Sequence, residues 1–189
     1  MLILFFQLGA FSCMAQNKYE REYRIKKSQF PEKALDYISE VLIDARRIRY
    51  YRETDSTKVS YEAKFKKERL WYSIEFDQRG ELEDIEILIK PIDIPNASIK
   101  QMTTYLSANF SKYRIRKIQQ QYPILDDEKA ETVIKYAFQN LMLPFINYEL
   151  IIEGKKDRAY AQYEILFDSE GNFKSIRKSL PPNYDHVLY

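Results

Sequence analysis

Apolar side chains recur along this chain first at the spacing of a helix and then at the spacing of a strand, and the change of period happens twice. Ala34, Leu35, Ile38, Val41, Leu42 and Ala45 fall on one face of a helix predicted over residues 31–45, with Pro31 in its first turn and Glu32 where the helix dipole favours an acid. From Arg47 the period becomes two. Arg47, Arg49 and Tyr51 alternate with Ile48 and Tyr50; Tyr61, Ala63 and Phe65 alternate with Glu62 and Lys64; Tyr72, Ile74 and Phe76 alternate with Trp71, Ser73 and Glu75; Ile85, Ile87 and Ile89 close the series. Such alternation predicts four strands, each with one buried and one open face, and connections this short predict an antiparallel meander. Residues 66–68 and 77–80 read as hairpin turns, the second with Asp77 at its first position and Gly80 where a positive φ is needed.

The pattern then restarts. Ile94-Pro95 repeats Phe30-Pro31, and Ile99, Met102, Leu106 and Phe110 mark a second helix. Tyr113-Arg-Ile-Arg116 matches the Arg-rich first strand, and a further helix is predicted over residues 126–143, capped by Asp126 or Asp127. Tyr148, Leu150 and Ile152, then Tyr163, Ile165 and Phe167, then Phe173 and Ile176, predict strands divided by turns at 154–157 and 168–171. Aligning residues 69–85 with 160–176, an offset of 91, gives 6 identities in 17 positions, among them Phe76/Phe167, Asp77/Asp168 and Gly80/Gly171. A fixed offset that also matches the changes of period is the mark of a duplicated unit. The fold expected is therefore α+β: two tandem copies of a helix followed by a four-stranded antiparallel meander, spanning 23–90 and 91–180, with an extra helix inserted in the second copy. Residues 17–27 form a polar lead and residues 181–189 a tail.

Two strand-turn-strand blocks, Trp71-Tyr-Ser-Ile-Glu-Phe-Asp-Gln-Arg-Gly-Glu-Leu and Gln162-Tyr-Glu-Ile-Leu-Phe-Asp-Ser-Glu-Gly-Asn-Phe, together with the Phe30-Pro31 and Ile94-Pro95 helix starts, give the chain a further meaning. A duplicated helix-plus-meander resembles the PepSY-like group of small secreted bacterial proteins, whose fold is similar to that of the β-lactamase inhibitor protein. The resemblance covers residues 23 to 180 and implies a non-enzymatic binding or inhibitory role. The inserted helix depart from that pattern, and the inhibitor's disulfides have no counterpart, so inhibition itself is not carried over.

Composition narrows the class. With 30 Lys and Arg against 28 Asp and Glu in 189 residues, the net charge of +2 gives no reason to expect a nucleic-acid partner. Residues 1–15 are uncharged, largely apolar and end in Ala15, the form of a secretory signal peptide cleaved after that residue. Cys13, the single cysteine, lies inside it, a weaker match to a lipoprotein anchor. The mature chain is expected to be periplasmic or secreted, monomeric, free of disulfides and without a transmembrane segment.

Catalytic chemistry is not apparent. The one histidine, His186, sits in the tail, too little for a triad or a His-based metal site. Glu81, Glu83, Asp84 and Glu86 read as a solvated strand edge, and the Asp77 and Asp168 turns as turns rather than calcium loops. No cofactor or metal is expected. The open sheet faces carry the interest: Arg47, Arg49, Tyr51, Glu62, Lys64 and Trp71 from the first unit, with Arg114, Arg116 and Gln162 from the second. Trp, Tyr and Arg on one surface are the residue types that anchor interfaces. The function expected is an exported binding module that recognises an envelope or secreted protein or peptide. The alternatives are a small-ligand or lipid carrier with a pocket between helices and sheets, and, ranked last, a carboxylate enzyme.

Overall fold

The computed structural model describes residues 16–18, 20–55 and 58–179. The expected signal peptide, residues 1–15 with Cys13, and residues 181–189 with His186 lie outside them. Among the described residues, all the strands join one ten-stranded sheet: β1 (Gln16–Lys18), β2 (Glu20–Ile25), β3 (Arg46–Asp55), β4 (Lys58–Lys67), β5 (Leu70–Asp77), β6 (Leu82–Leu88), β7 (Lys112–Pro123), β8 (Asn147–Lys156), β9 (Ala159–Asp168) and β10 (Phe173–Ser179). The helices are α1 (Glu32–Ile38), α2 (Asn96–Asn109) and α3 (Ala130–Phe138).

The sheet order, β1-β10-β9-β8-β7-β6-β5-β4-β3-β2, overturns the expectation of two tandem units. Strands β6 and β7, which would have been edges of separate meanders, pair antiparallel from Asp84↔Pro123 to Leu88↔Gln119. An unpaired edge leaves a row of backbone donors and acceptors unsatisfied, and this pairing removes two such edges at once. The core is likewise one cluster. It runs from Phe30, Ala34 and Ile38 beside α1, through Val133 and Ala137 of α3, to Met102 and Leu106 of α2. Phe138 of α3 stacks on Tyr72 with ring centroids 4.5 Å apart, and its ring lies parallel to Phe65 at 6.3 Å.

The polar lead is a second correction. Lys18 and Glu20 are separated by one residue, yet β1 pairs parallel with β10 at one end of the strand order and β2 pairs antiparallel with β3 at the other. Two residue steps reach at most about 7 Å. The two edges of the sheet therefore approach one another, and the sheet curls round its helix-free face. No periodicity of apolar residues announces this segment, because its contribution is backbone pairing.

Smaller differences have local causes. Helix α1 ends at Ile38 instead of continuing to Ala45, and residues 39–44 form turns up to Asp44, which has φ 63°. Carbonyls left open there are met by Lys67, whose Nζ donates to the oxygens of Val41 and Ile43 at 2.9 Å each. Helix α3 starts at Ala130, with Lys129 rather than Asp126 or Asp127 at its N-cap. The β8–β9 turn is at Asp157-Arg158, both with positive φ, at the far end of the predicted Gly154–Asp157 segment, whose first three residues are paired in β8. The two Asp-x-x-Gly turns form as expected. Asp77 Oδ1 accepts the N–H groups of Arg79 and Glu81 at 2.7 and 2.9 Å, and Asp168 Oδ1 those of Glu170 and Asn172 at 3.0 and 2.8 Å.

Candidate functional site

Alternation along the strands divides the sheet into two faces. Cross-strand partners Tyr50, Ala63, Ile74 and Ile85 face the helices, while the next rung, Tyr51, Glu62, Glu75 and Asp84, faces away. A further rung on that second face joins Arg49, Lys64, Ser73, Glu86, Gln121, Asn147 and Asp168. The sequence suggests that this face is open. It is not. Glu62, Ser73, Glu86, Gln119, Asn147 and Glu164 are all buried, because the curl folds the polar face inward.

Polar groups withdrawn from water need partners. Lys64 supplies the central one: its Nζ lies 3.1 Å from Glu22 Oε1, 2.6 Å from Glu62 Oε2 and 4.8 Å from the Tyr51 ring centre. Ser73 donates to Glu62, and Gln119 donates to Glu86. Gln121 donates to Asp84 at 3.0 Å, Asn147 to Gln121 at 2.9 Å and Lys174 to Asn147 at 2.9 Å, while Arg177 pairs with Glu164 at 3.0 Å. Carboxylate oxygens of Glu22, Glu53 and Glu62 come within 4.8 Å of one another, a spacing that could hold a metal ion. The Lys64 ammonium already sits against two of them, so the cluster has its cation.

Not every acid is so well served. Burial, followed by the charge of Asp84, holds the Glu75 carboxyl well above the ordinary range, and burial followed by Glu149 does the same to Glu86. Burial, then the charges of Glu83 and Glu62, push Asp84 up to about 7. Glu62 goes the other way: burial opposes ionisation, but the Lys64 charge and its hydrogen bonds outweigh that and lower it. A cavity of about 180 Å³ beside these groups is lined by Glu53, Asp55, Glu75 and Asp84 with Lys58 and Arg177, residues from both ends of the strand order. The reading of Asp84 and Glu86 as part of a solvated edge is thus reversed. Sequence reasoning also passed over Glu75, Gln119, Glu164 and Arg177. Their alternation was visible, but the closure that buries them was not.

The nominated residues separate into two groups. Tyr51, Glu62 and Lys64 belong to the buried network. Arg47, Arg49, Trp71, Arg114, Arg116 and Gln162 lie toward the end of the sheet formed by the starts of β3, β5, β7 and β9, with Arg49 directly across from Lys64. Arg47 lies over the Trp71 ring, 5.7 Å from its centre, and Arg116 pairs with Glu153 at 2.5 Å. Both arginines sit at irregularities. Pairing of β3 with β4 shifts register between Arg46 and Arg49, where Arg47 has φ 58°, and pairing of β7 with β8 shifts between Ile115 and Lys117, at Arg116. Bulges re-aim the side chains they carry, and a non-glycine residue at positive φ costs backbone energy that the surrounding structure must offset.

No family model matches the chain, and no curated protein matches it. Solved structures do. A BLIP-like protein from Bacteroides fragilis superposes with a TM-score of 0.51 at 12% identity, over 85% of this chain and 93% of that one. A DUF2874 family protein from Bacteroides ovatus gives 0.50 at 10% identity, over 78% and 86%. At this identity the likeness is one of fold: the chain has a BLIP-like fold. Among the described residues, no helix is long and apolar enough to cross a membrane.

Proposed function

We propose that the chain is an exported, non-enzymatic binding module, periplasmic or secreted, that recognises a protein or peptide through the arginine-bearing edge of its curled sheet. The PepSY-like resemblance and the uncharged, apolar residues 1–15 support the export reading, and the BLIP-like fold is compatible with it. The observation that carries the proposal is the pair formed by Arg47 and Trp71. A guanidinium held over an indole at a bulge is a preorganised anchor of the kind found at interface hot spots. The inner face, by contrast, is largely occupied by its own polar groups, and its cavity of about 180 Å³ is lined by side chains from both ends of the strand order.

The test is capture of partners from an envelope extract by the purified chain, compared with the Trp71→Ala, Arg49→Ala double variant. Loss of a captured protein in the variant is the expected result. An unchanged set of captured proteins would show that the edge is not the binding surface.

A further inference from the structure

Charge is divided between the two ends of the sheet. On the edge that carries Trp71, residues 44–49, 66–69, 112–116 and 153–158 hold twelve Lys and Arg against four Asp and Glu. On the opposite edge, residues 53–55, 58, 75–84, 125–131 and 168–174 hold thirteen Asp and Glu against four Lys and Arg. Antiparallel pairing dictates which segments share an end, so a chain with a net charge of only +2 folds into a molecule with a basic pole and an acidic pole. Neither pole is visible in the overall composition.

We infer that the partner presents a carboxylate-rich segment of a protein to the basic pole; this rests on the reading of that edge as a binding surface. Arg46, Lys112 and Arg114 are exposed there, and among the described residues none has a carboxylate partner. Arg47 stands at a bulge at the same end, where its planar guanidinium fork suits two-point recognition of a carboxylate, while Arg116, at the second bulge, is already paired with Glu153. The acidic pole adds direction. It repels an acidic partner from the wrong end and orients the molecule during approach.

Other anionic partners fit less well. A nucleic-acid backbone needs an unbroken basic track, and Glu68, Glu153 and Asp157 interrupt this one, with Glu153 already paired to Arg116. A lipid surface calls for an apolar face beside the basic residues, but the large exposed apolar side chains here are the isolated Ile43 and Tyr160.

Trp71 is the only tryptophan, so its fluorescence reports on this edge directly. The experiment titrates the full chain with poly-L-glutamate. A saturable change in Trp71 emission is expected, weakening about tenfold or more between about 50 and about 300 mM salt. Neutralising the exposed cations in Arg46→Gln, Lys112→Gln, Arg114→Gln should weaken it about tenfold as well, with the circular dichroism spectrum unchanged. Asp126→Asn, Asp127→Asn at the other pole should leave it intact. Arg47→Gly separates recognition from folding: it relieves a positive φ, so Tm should hold or rise while poly-L-glutamate binding falls.

The inference is overturned if poly-L-glutamate produces no response or binds the neutralised variant equally well. Tighter binding of phosphatidylglycerol vesicles or of poly(dT) overturns it too. So does sedimentation showing salt-sensitive self-association that the neutralised variant abolishes, which would assign the basic pole to the acidic pole of a second copy. If Trp71→Ala, Arg49→Ala loses a captured protein while poly-L-glutamate fails, the binding-module reading stands and only the acidic chemistry falls.

Discussion

The two faces of this sheet are both buried, and by opposite chemistry. The helix-covered face is dry: Phe65, Ile74, Phe76, Leu150 and Phe167 have no solvent exposure. The curled face is packed with Glu62, Ser73, Glu86, Gln119 and Glu164, held by hydrogen bonds and by Lys64. Apolar burial is non-directional and tolerates approximate partners, whereas a buried ionic network is stabilising only while every member is present. Mutation should expose that difference. Phe76→Ala, read by urea denaturation, should cost about 3–5 kcal/mol through lost burial and the cavity left behind. No second substitution at a neighbouring polar site should restore it.

On the curled face, Lys64→Met should cost about 3 kcal/mol, because Glu22 and Glu62 lose their shared cation while most of the side-chain volume is kept. Here rescue is expected. Adding Glu22→Gln and Glu62→Gln to Lys64→Met should recover more than half of the loss, since removing both signs of charge removes the desolvation penalty as well. If the triple variant were as unstable as the single one, the network would be acting through shape rather than charge.

The seams between helices and sheet offer a third comparison. Gly80 and Gly171 occupy equivalent turns, both at positive φ, but their surroundings differ. A Cβ on Gly171 would lie 2.3 Å from the Ser98 carbonyl oxygen at the start of α2, while one on Gly80 would lie 3.0 Å from the Ala34 nitrogen of α1. Gly171→Ala should therefore lower stability by about 2–3 kcal/mol and Gly80→Ala by about 1 kcal/mol, measured by thermal or chemical denaturation. Equal losses would mean that backbone strain alone decides, and that the tight approach of α2 adds nothing.

These contrasts also mark what could be read from the chain. The dry face was legible residue by residue, because Tyr61, Ala63 and Phe65, or Tyr163, Ile165 and Phe167, alternate in a way that only a half-buried strand explains. The Asp77 and Asp168 turns were legible because Asp and Gly at those spacings answer to backbone geometry. Closure was not legible. Residues 16–18 and 20–25 pair with opposite edges of the sheet through backbone hydrogen bonds, which any side chain permits, and their polar sequence conceals a structural role. The same blind spot turned one sheet into two expected units, since β6–β7 pairing is a long-range contact that no local period encodes. The candidate site suffered accordingly. Alternation assigned Tyr51, Glu62 and Lys64 to the correct face, but whether that face meets water depends on the curl. Arg47 and Trp71 were nominated as neighbours on the same reasoning, and there the structure brings them together.

Acids raised by burial make the smallest and most diagnostic prediction. Asp84, pushed up to about 7 from 3.8, binds a proton in the folded chain that it has lost in the unfolded one at intermediate pH. Its contribution is therefore complete below about pH 4 and is lost as the pH rises to about 7. Glu75 and Glu86 are raised as well and act in the same direction. Glu62 is lowered, so its contribution is present above its ordinary value and disappears as the pH falls further. With three raised acids set against one lowered, stability falls as the pH rises from about 4 towards 7. Asp84→Asn, which keeps shape but cannot ionise, should gain about 1–2 kcal/mol over the parent at pH 8 and nothing at pH 4, followed by urea midpoints across that range. A gain that stayed constant with pH would instead identify Asp84 as a packing defect. A loss at pH 8 would mean that its charge is compensated in the folded chain, and the acidic side of the curl would then be as fully partnered as the Lys64 side.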